Sequence, residues 1–372
     1  MDGKREEHPF HIYETIMDAP VKLQSWLEGE SLERVREVAE EIRKRKPKRI
    51  FTAGTGSSYM AALSEAYGFS EIAGIPSSAF VTSELRAYTP EEFSDDDILL
   101  INTHSGKSPG DVAMVKVAKD RGVFTVGITD VEGTAFSEEV DMLLIGKDGP
   151  KKEMPATRTY SSAIFRTLLL AIECAKKQGS LYRAREYERQ VTLIPGLMRK
   201  QLDDLDKTTP EIVKKLRTNT AYFVISAGTN MSTAIEGAMG LTQGTGMPAA
   251  GYNVDEYMHG PVQSLKSGRC VVTVASPGPF HEKIWRFADI ARNIGAAVLM
   301  LAPEGSDAIA HGDIRIELPT GVDEVLTPPL YCAPFWLIGY YFSLENGFNP
   351  DILSMEKSEF KKSGLAEMKK YI

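Results

Sequence analysis

Six consecutive residues, Thr103-His104-Ser105-Gly106-Lys107-Ser108, put three hydroxyls, an imidazole and an ammonium into one short turn. Donors of this kind suit an oxyanion such as phosphate when the turn joins a strand to a helix, because the helix N-terminus adds free N–H groups and a positive dipole end. The Gly106-Lys107-Ser108 portion matches the end of a nucleoside-triphosphate P-loop. That motif needs a glycine at position 101, where this chain has Ile101, so the triphosphate reading fails. A second polar turn, Gly54-Thr55-Gly56-Ser57-Ser58, offers Ser57 and Ser58. Each turn taken alone is matched by a plain alternative, a Ser/Gly turn that does nothing more than cap a helix.

The elements around these turns decide between the alternatives. Arg49 to Ala53 is a short apolar run ahead of the glycine turn, and Tyr59 to Tyr67 reads as a helix after it. Asp97 to Asn102 (DILLIN) is a continuous apolar run ahead of the Thr103–Ser108 turn, with a helix expected from about Gly110 to Arg121. Val123 to Thr129 and Met142 to Ile145 supply further buried strands, so strands and helices alternate and a parallel, doubly wound sheet follows. Ligands of such sheets bind beyond the carboxyl ends of the strands, where both turns would lie, and Ser57 and Ser58 would then face the same crevice as the second turn.

Ahead of this unit, Leu32, Val35, Val38, Ala39 and Ile42 recur at helical spacing, predicting an amphipathic helix from Ser31, as its cap, to about Lys46. From about Ser161 to Leu216 the chain reads as helical with breaks at Pro195 and Pro210, a connector without the Gly/Ser composition of a flexible linker. A second α/β unit begins at Ala221. Its stretch Val271–Gly305 repeats the order of Ile98–Gly133: apolar strand, Ser/Pro/Gly turn, helix, glycine, second apolar strand, Glu-Gly. Duplication of a whole α/β domain explains a repeat of roughly 170 residues better than a solenoid does.

Bulk properties narrow the class. A chain of 372 residues predicts two domains, and 42% hydrophobic with 25% charged residues is ordinary for a folded protein. The net charge of -8 argues against nucleic acid as a partner, because backbone binding needs a concentrated basic face. Cys174, Cys270 and Cys332 lie far apart with no metal-ligand or CxxC spacing, which predicts reduced core thiols and no metal. Residues 1–9 are charged and lack the apolar core of a secretory signal, and no stretch approaches about 18 apolar residues. A cytoplasmic protein without a membrane partner is the expectation.

The segments GTGSSYMAA, THSGKS, ITDVEGT, PATRTYSS, AIEGAMGLTQGTG and DEYMHGPV together resemble the double-SIS (sugar isomerase) family, over nearly the whole chain from about Ile12 to Lys357. That family includes the isomerase half of glucosamine-6-phosphate synthase and the fructosamine-6-phosphate deglycases. The resemblance puts Ser58, Thr103, His104, Ser105 and Ser108 around a sugar phosphate and Thr157 beside the ligand, with Arg158 in place of the family's lysine. It makes His259 the histidine that opens the sugar ring, reached from a neighbouring subunit, so that a homodimer is implied. Lys357 resembles the lysine of a C-terminal LAKS segment, a solvated charged tail being the alternative. Nothing in the chain resembles the synthase's glutaminase domain, and ammonia transfer from glutamine is not expected.

One departure bears on the reaction. Relatives carry a glutamate sixteen residues before the histidine, and this chain has Gln243 there. An amide cannot take a proton from a sugar carbon at neutral pH, whereas a carboxylate can. Glu256, on the loop that carries His259, and Glu236, two turns before Gln243 on the same helix face, are the candidate substitutes, with structural roles as the alternative for both.

The expected organisation is an N-terminal helical segment (1–46), a first SIS domain (47–177), a helical connector (178–216), a second SIS domain (217–348) and a tail (349–372). The expected fold is α/β, each SIS domain a mainly parallel doubly wound sheet flanked by helices. The expected function is a cofactor-free aldose–ketose isomerase or deglycase acting on a 6-phosphorylated ketose or ketosamine. A noncatalytic sugar-phosphate sensor that has lost its base is the competing class.

Overall fold

The computed structural model describes residues 5–146, 152–176, 181–353 and 358–363. The chain divides into two compact units. An N-sheet unit takes in the described residues within Val21–Lys151, Arg158–Leu193 and Lys357–Ile372, and a C-sheet unit those within Met1–Pro20, Lys152–Thr157 and Ile194–Glu356.

The N-sheet contains β1 (Arg49–Gly54), β2 (Ser77–Val81), β3 (Asp97–Asn102), β4 (Phe124–Thr129) and β5 (Met142–Ile145), all parallel, in the order β2-β1-β3-β4-β5. Ile98 to Ile101 are all apolar because β3 is central and every residue of it is buried. Asp97, the acidic residue at its start, is tied by both carboxylate oxygens to the Arg49 guanidinium at 2.8 and 2.9 Å. The C-sheet contains β6 (Tyr222–Ser226), β7 (Ala249–Asn253), β8 (Cys270–Val274), β9 (Ala297–Pro303) and β10 (Ile314–Leu318), again all parallel, in the order β10-β9-β8-β6-β7. Read from the other end this is the same order as in the N-sheet. In both, the strand order reverses between the first and third strands, which opens a crevice beyond their carboxyl ends.

Two expectations are corrected. The first amphipathic helix runs from Gly29 to Arg45 with Glu28 at its N-cap, so Ser31 lies inside it and caps nothing. Pro210 does not break the connector: a single helix, Ile194–Leu216, carries Pro195 in its first turn and Pro210 inside. Proline costs least at a helix start, where its missing N–H would have no partner in any case. At Pro210 the apolar face of Met198, Leu202, Leu205, Ile212 and Val213, all buried, carries the helix through. The three cysteines are buried free thiols, and burial pushes Cys174 and Cys270 up to about 12, as expected of inert core thiols. No described helix is long and apolar enough to cross a membrane.

Candidate functional site

The two polar turns of the N-sheet leave neighbouring strands, since Ala53 on β1 pairs with Ile101 on β3. The first turn needs glycine for space. A Cβ on Gly54 would lie 2.4 Å from the backbone carbon of Ser58, so no larger residue lets the helix Ser57–Gly68 start this close to the strand. The second needs it for conformation as well. Gly106 has φ of +63°, and a Cβ there would lie 2.3 Å from the Thr134 hydroxyl oxygen.

Within the Thr103–Ser108 turn, Ser108 is the N-cap of the helix Pro109–Asp120, its Oγ accepting from the Asp111 N–H at 3.3 Å. The plain capping role therefore holds for Ser108, whose hydroxyl also bonds to the Asp111 carboxyl. Ser105 Oγ accepts from the Lys107 N–H at 3.3 Å. Thr103 is buried, while Ser57, Ser58, His104, Ser105 and Ser108 are half-buried.

The His104 main chain is stitched to the end of β4: its carbonyl accepts from the Asp130 N–H and from the Thr129 hydroxyl, both at 3.1 Å. The His104 ring is fixed too, with Nδ1 2.7 Å from Asp130 Oδ2. The other Asp130 oxygen accepts from Arg166 at 2.8 Å, and both side chains are 1% exposed. Arg166 further donates to the carbonyls of Ser162, Thr129 and Leu144. Burial alone would push the Asp130 carboxyl up. The Arg166 guanidinium and then His104 more than reverse this and hold it below its ordinary range. Sequence reasoning missed Asp130 and Arg166, although Asp130 falls within ITDVEGT, a segment that carries the family resemblance, and Arg166 lies four residues beyond another, PATRTYSS.

Behind the turns, Glu65 is fully buried, accepting from Asn102 at 2.7 Å and from Thr167 at 3.1 Å. Burial pushes its carboxyl up to about 8 against the pull of those two bonds. Burial also raises Asp111, the hydroxyls of Thr103, Thr82 and Ser108 pulling the other way.

The second group of candidates lies in the C-sheet unit. Thr157, Glu236 and Gln243 line one cavity of about 30 Å³ together with Ile12, Trp336 and Leu353. That is roughly the room of one ordered water. Glu236, Gly240, Gln243 and Gly244 share a face of the helix Met231–Thr245. This helix can lie against Ala333–Glu345 because its contact residues are glycines: a Cβ on Gly244 would fall 2.3 Å from the Gly339 carbonyl oxygen. Asp351 ties the other walls together. Its carboxylate accepts from the N–H groups of His11 and Ile12 at 3.2 and 2.8 Å, and its carbonyl from the Met154 N–H at 2.7 Å. Thr157 is 2% exposed, and its Oγ1 has no hydrogen-bond partner among the described residues.

Glu256 and His259 do not line this cavity. Both are exposed, at the short helix Val254–Met258 and its C-cap, with His259 Nδ1 2.8 Å from the Asp255 carbonyl oxygen. Lys357 lies outside the described residues. A larger groove of about 870 Å³ runs between the helix Ile194–Leu216 and β10. Its lining interleaves Lys200, Lys215 and Arg315 with Asp204, Glu211 and Glu317, so it presents no single charge to a ligand. Among the described residues no group of three or more His, Cys, Asp or Glu side chains is arranged to hold a metal.

Comparison with known proteins places this architecture. Over 82% of its length the chain is 34% identical to glutamine–fructose-6-phosphate aminotransferase (isomerizing) of Pyrococcus horikoshii, covering 50% of that protein. It thus spans about half the length of the curated relatives it matches. Among solved structures, the C-terminal domain of glucosamine-fructose-6-phosphate aminotransferase from Francisella tularensis superposes with a TM-score of 0.83 at 19% identity, covering 94% of this chain and 100% of that one. Tagatose-6-phosphate ketose/aldose isomerase from Escherichia coli superposes with a TM-score of 0.75 at 18% identity, over 94% of this chain and 96% of that one. The SIS domain model matches twice, at residues 43–173 and 215–342, one match over each parallel sheet. With each five-stranded sheet carrying its own match, the chain belongs to the SIS domain family and holds two such domains in tandem.

Proposed function

We propose that the chain binds a 6-phosphorylated ketose or ketosamine at the Thr103–Ser108 turn and acts on it as an aldose–ketose isomerase or deglycase. The observation that carries this reading is the turn itself: hydroxyls and an imidazole at a helix N-terminus, in the crevice between β1 and β3. The similarity to proteins named for fructose-6-phosphate and tagatose-6-phosphate chemistry supports the same ligand class. His259 is the ring-opening group in this reading, reached within a homodimer. For the base, Glu236 stands ahead of Glu256, because Glu236 shares a cavity with Gln243 and Thr157 while Glu256 is exposed.

One observation favours a second reading. The position of the family's base carries an amide, which fits a noncatalytic phosphosugar sensor. Solvent deuterium uptake into fructose 6-phosphate, followed by NMR, separates the two. We expect uptake by the wild type, a loss of about a hundred-fold or more in Glu236→Gln, and retention in Glu256→Gln. Uptake seen only in Gln243→Glu supports the sensor. Uptake that survives both Glu236→Gln and Glu256→Gln rejects both carboxylates as the base.

A further inference from the structure

The His104–Asp130–Arg166 chain is more than a loop brace. Asp130 is ionised and has no proton to give, so the 2.7 Å contact requires the hydrogen to sit on His104 Nδ1. A neutral His104 in that tautomer has only a lone pair at Nε2, and Nε2 has no hydrogen-bond partner among the described residues on a side chain that is 22% exposed. A phosphate dianion offers only acceptors, so two acceptors would meet.

Resting on the phosphate reading above, we infer that His104 takes up one proton from solvent when a phosphosugar binds. The imidazolium then donates from Nδ1 to Asp130 and from Nε2 to phosphate. Asp130 and Arg166 act as positioning residues: the first fixes the tautomer, and the second keeps the first ionised.

The charged groups on the elements that meet here agree with this. From the end of β4 comes Asp130, with exposed Glu132 just beyond it, and from the helix Arg158–Ala175 comes Arg166. The turn adds exposed Lys107, and the helix after it adds buried Asp111, whose carboxyl is raised by burial. Asp130 and Arg166 cancel each other, and buried Glu65, behind the turns, has its carboxyl raised to about 8. Protonation of His104 therefore supplies buried-side positive charge that the crevice otherwise lacks.

Titration calorimetry with fructose 6-phosphate in Tris and in Hepes tests this. At about pH 8 free imidazole is largely neutral and a phosphate monoester is a dianion. We expect enthalpies that differ between the buffers by an amount corresponding to uptake approaching one proton per ligand. His104→Gln should abolish uptake and keep weakened binding, since an amide donates without charging. Ser105→Ala should weaken binding and leave uptake unchanged, which a merely structural role for His104 does not predict. Asp130→Asn should lower uptake, and if it fails to fold, His104→Gln alone decides. Equal enthalpies in the two buffers with binding intact, or uptake persisting in His104→Gln, would overturn the inference. Absence of any binding by the wild type would overturn the phosphate reading, and this inference with it.

Discussion

The crevices of the two sheets share a topology and differ in what fills them. Between β1 and β3 the N-sheet presents hydroxyls and His104. Between β6 and β8, the C-sheet seats a carboxylate of its own. Glu324 accepts from Ser276 at 2.9 Å and lies against both turns, since a Cβ on Gly278 would fall 2.0 Å from one of its oxygens and a Cβ on Gly228 3.3 Å from the other. Burial raises this carboxyl, Ser276 opposing. The supports differ as well. Asn230, bonded to Thr327 and Thr233 at 2.8 and 2.9 Å, gives the C-sheet edge a neutral brace, whereas the N-sheet edge rests on the charged pair Asp130–Arg166 and on buried Glu65. The strand order supplies a crevice twice: in the C-sheet the Glu324 side chain lies against both turns, and in the N-sheet the turns carry the hydroxyls and imidazole on which the proposed phosphate site rests.

Breaking the charged brace is expected to have the largest effect. Arg166→Met leaves Asp130 buried without its cation and should cost about 3–5 kcal/mol of stability in urea unfolding. A loss under about 1 kcal/mol would mean that the N-sheet edge does not depend on this pair.

The next effect is a pH dependence that belongs to the N-sheet. The folded-state Glu65 carboxyl is raised to about 8, so the folded protein keeps a proton that the unfolded chain has already lost above the ordinary carboxylate range. This contribution to stability is therefore present at low pH, falls as pH rises towards about 8, and levels off above that. Its slope is up to about 1.4 kcal/mol per pH unit. Glu65→Gln should flatten the decline between about pH 5 and pH 8, read from urea midpoints. An unchanged slope would remove Glu65 as its source.

The central strands and both polar turns were legible in the sequence because continuous apolar runs bounded by glycine have few other readings. The edge strands β2, β7 and β10 were not. In β2 and β7 the residues are largely half-buried and small or mixed, as in Ser77-Ser78-Ala79 and Ala249-Ala250-Gly251, so neither an apolar run nor a clean alternation marks them. β10 does alternate, with Ile316 and Leu318 buried and Arg315 and Glu317 exposed, but over only five residues. Within the site, hydroxyl clustering pointed to Thr103–Ser108. The partner of His104 did not show, because Asp130 sits 26 positions away and is brought close only by the pairing of β3 with β4. Helical periodicity put Glu236 and Gln243 on one face. It carried no information about the exposure of Glu256, which depends on how a five-residue helix ends.

The most direct test of one open crevice and one closed crevice is calorimetry of fructose 6-phosphate on paired serine variants. Ser105→Ala should weaken binding about ten- to a hundred-fold, the scale of a hydrogen bond to a charged group, while Ser276→Ala leaves affinity unchanged and fructose itself fails to bind. Wild-type affinity in Ser105→Ala together with a loss in Ser276→Ala would contradict the account, because it would move the phosphate to the crevice that Glu324 occupies.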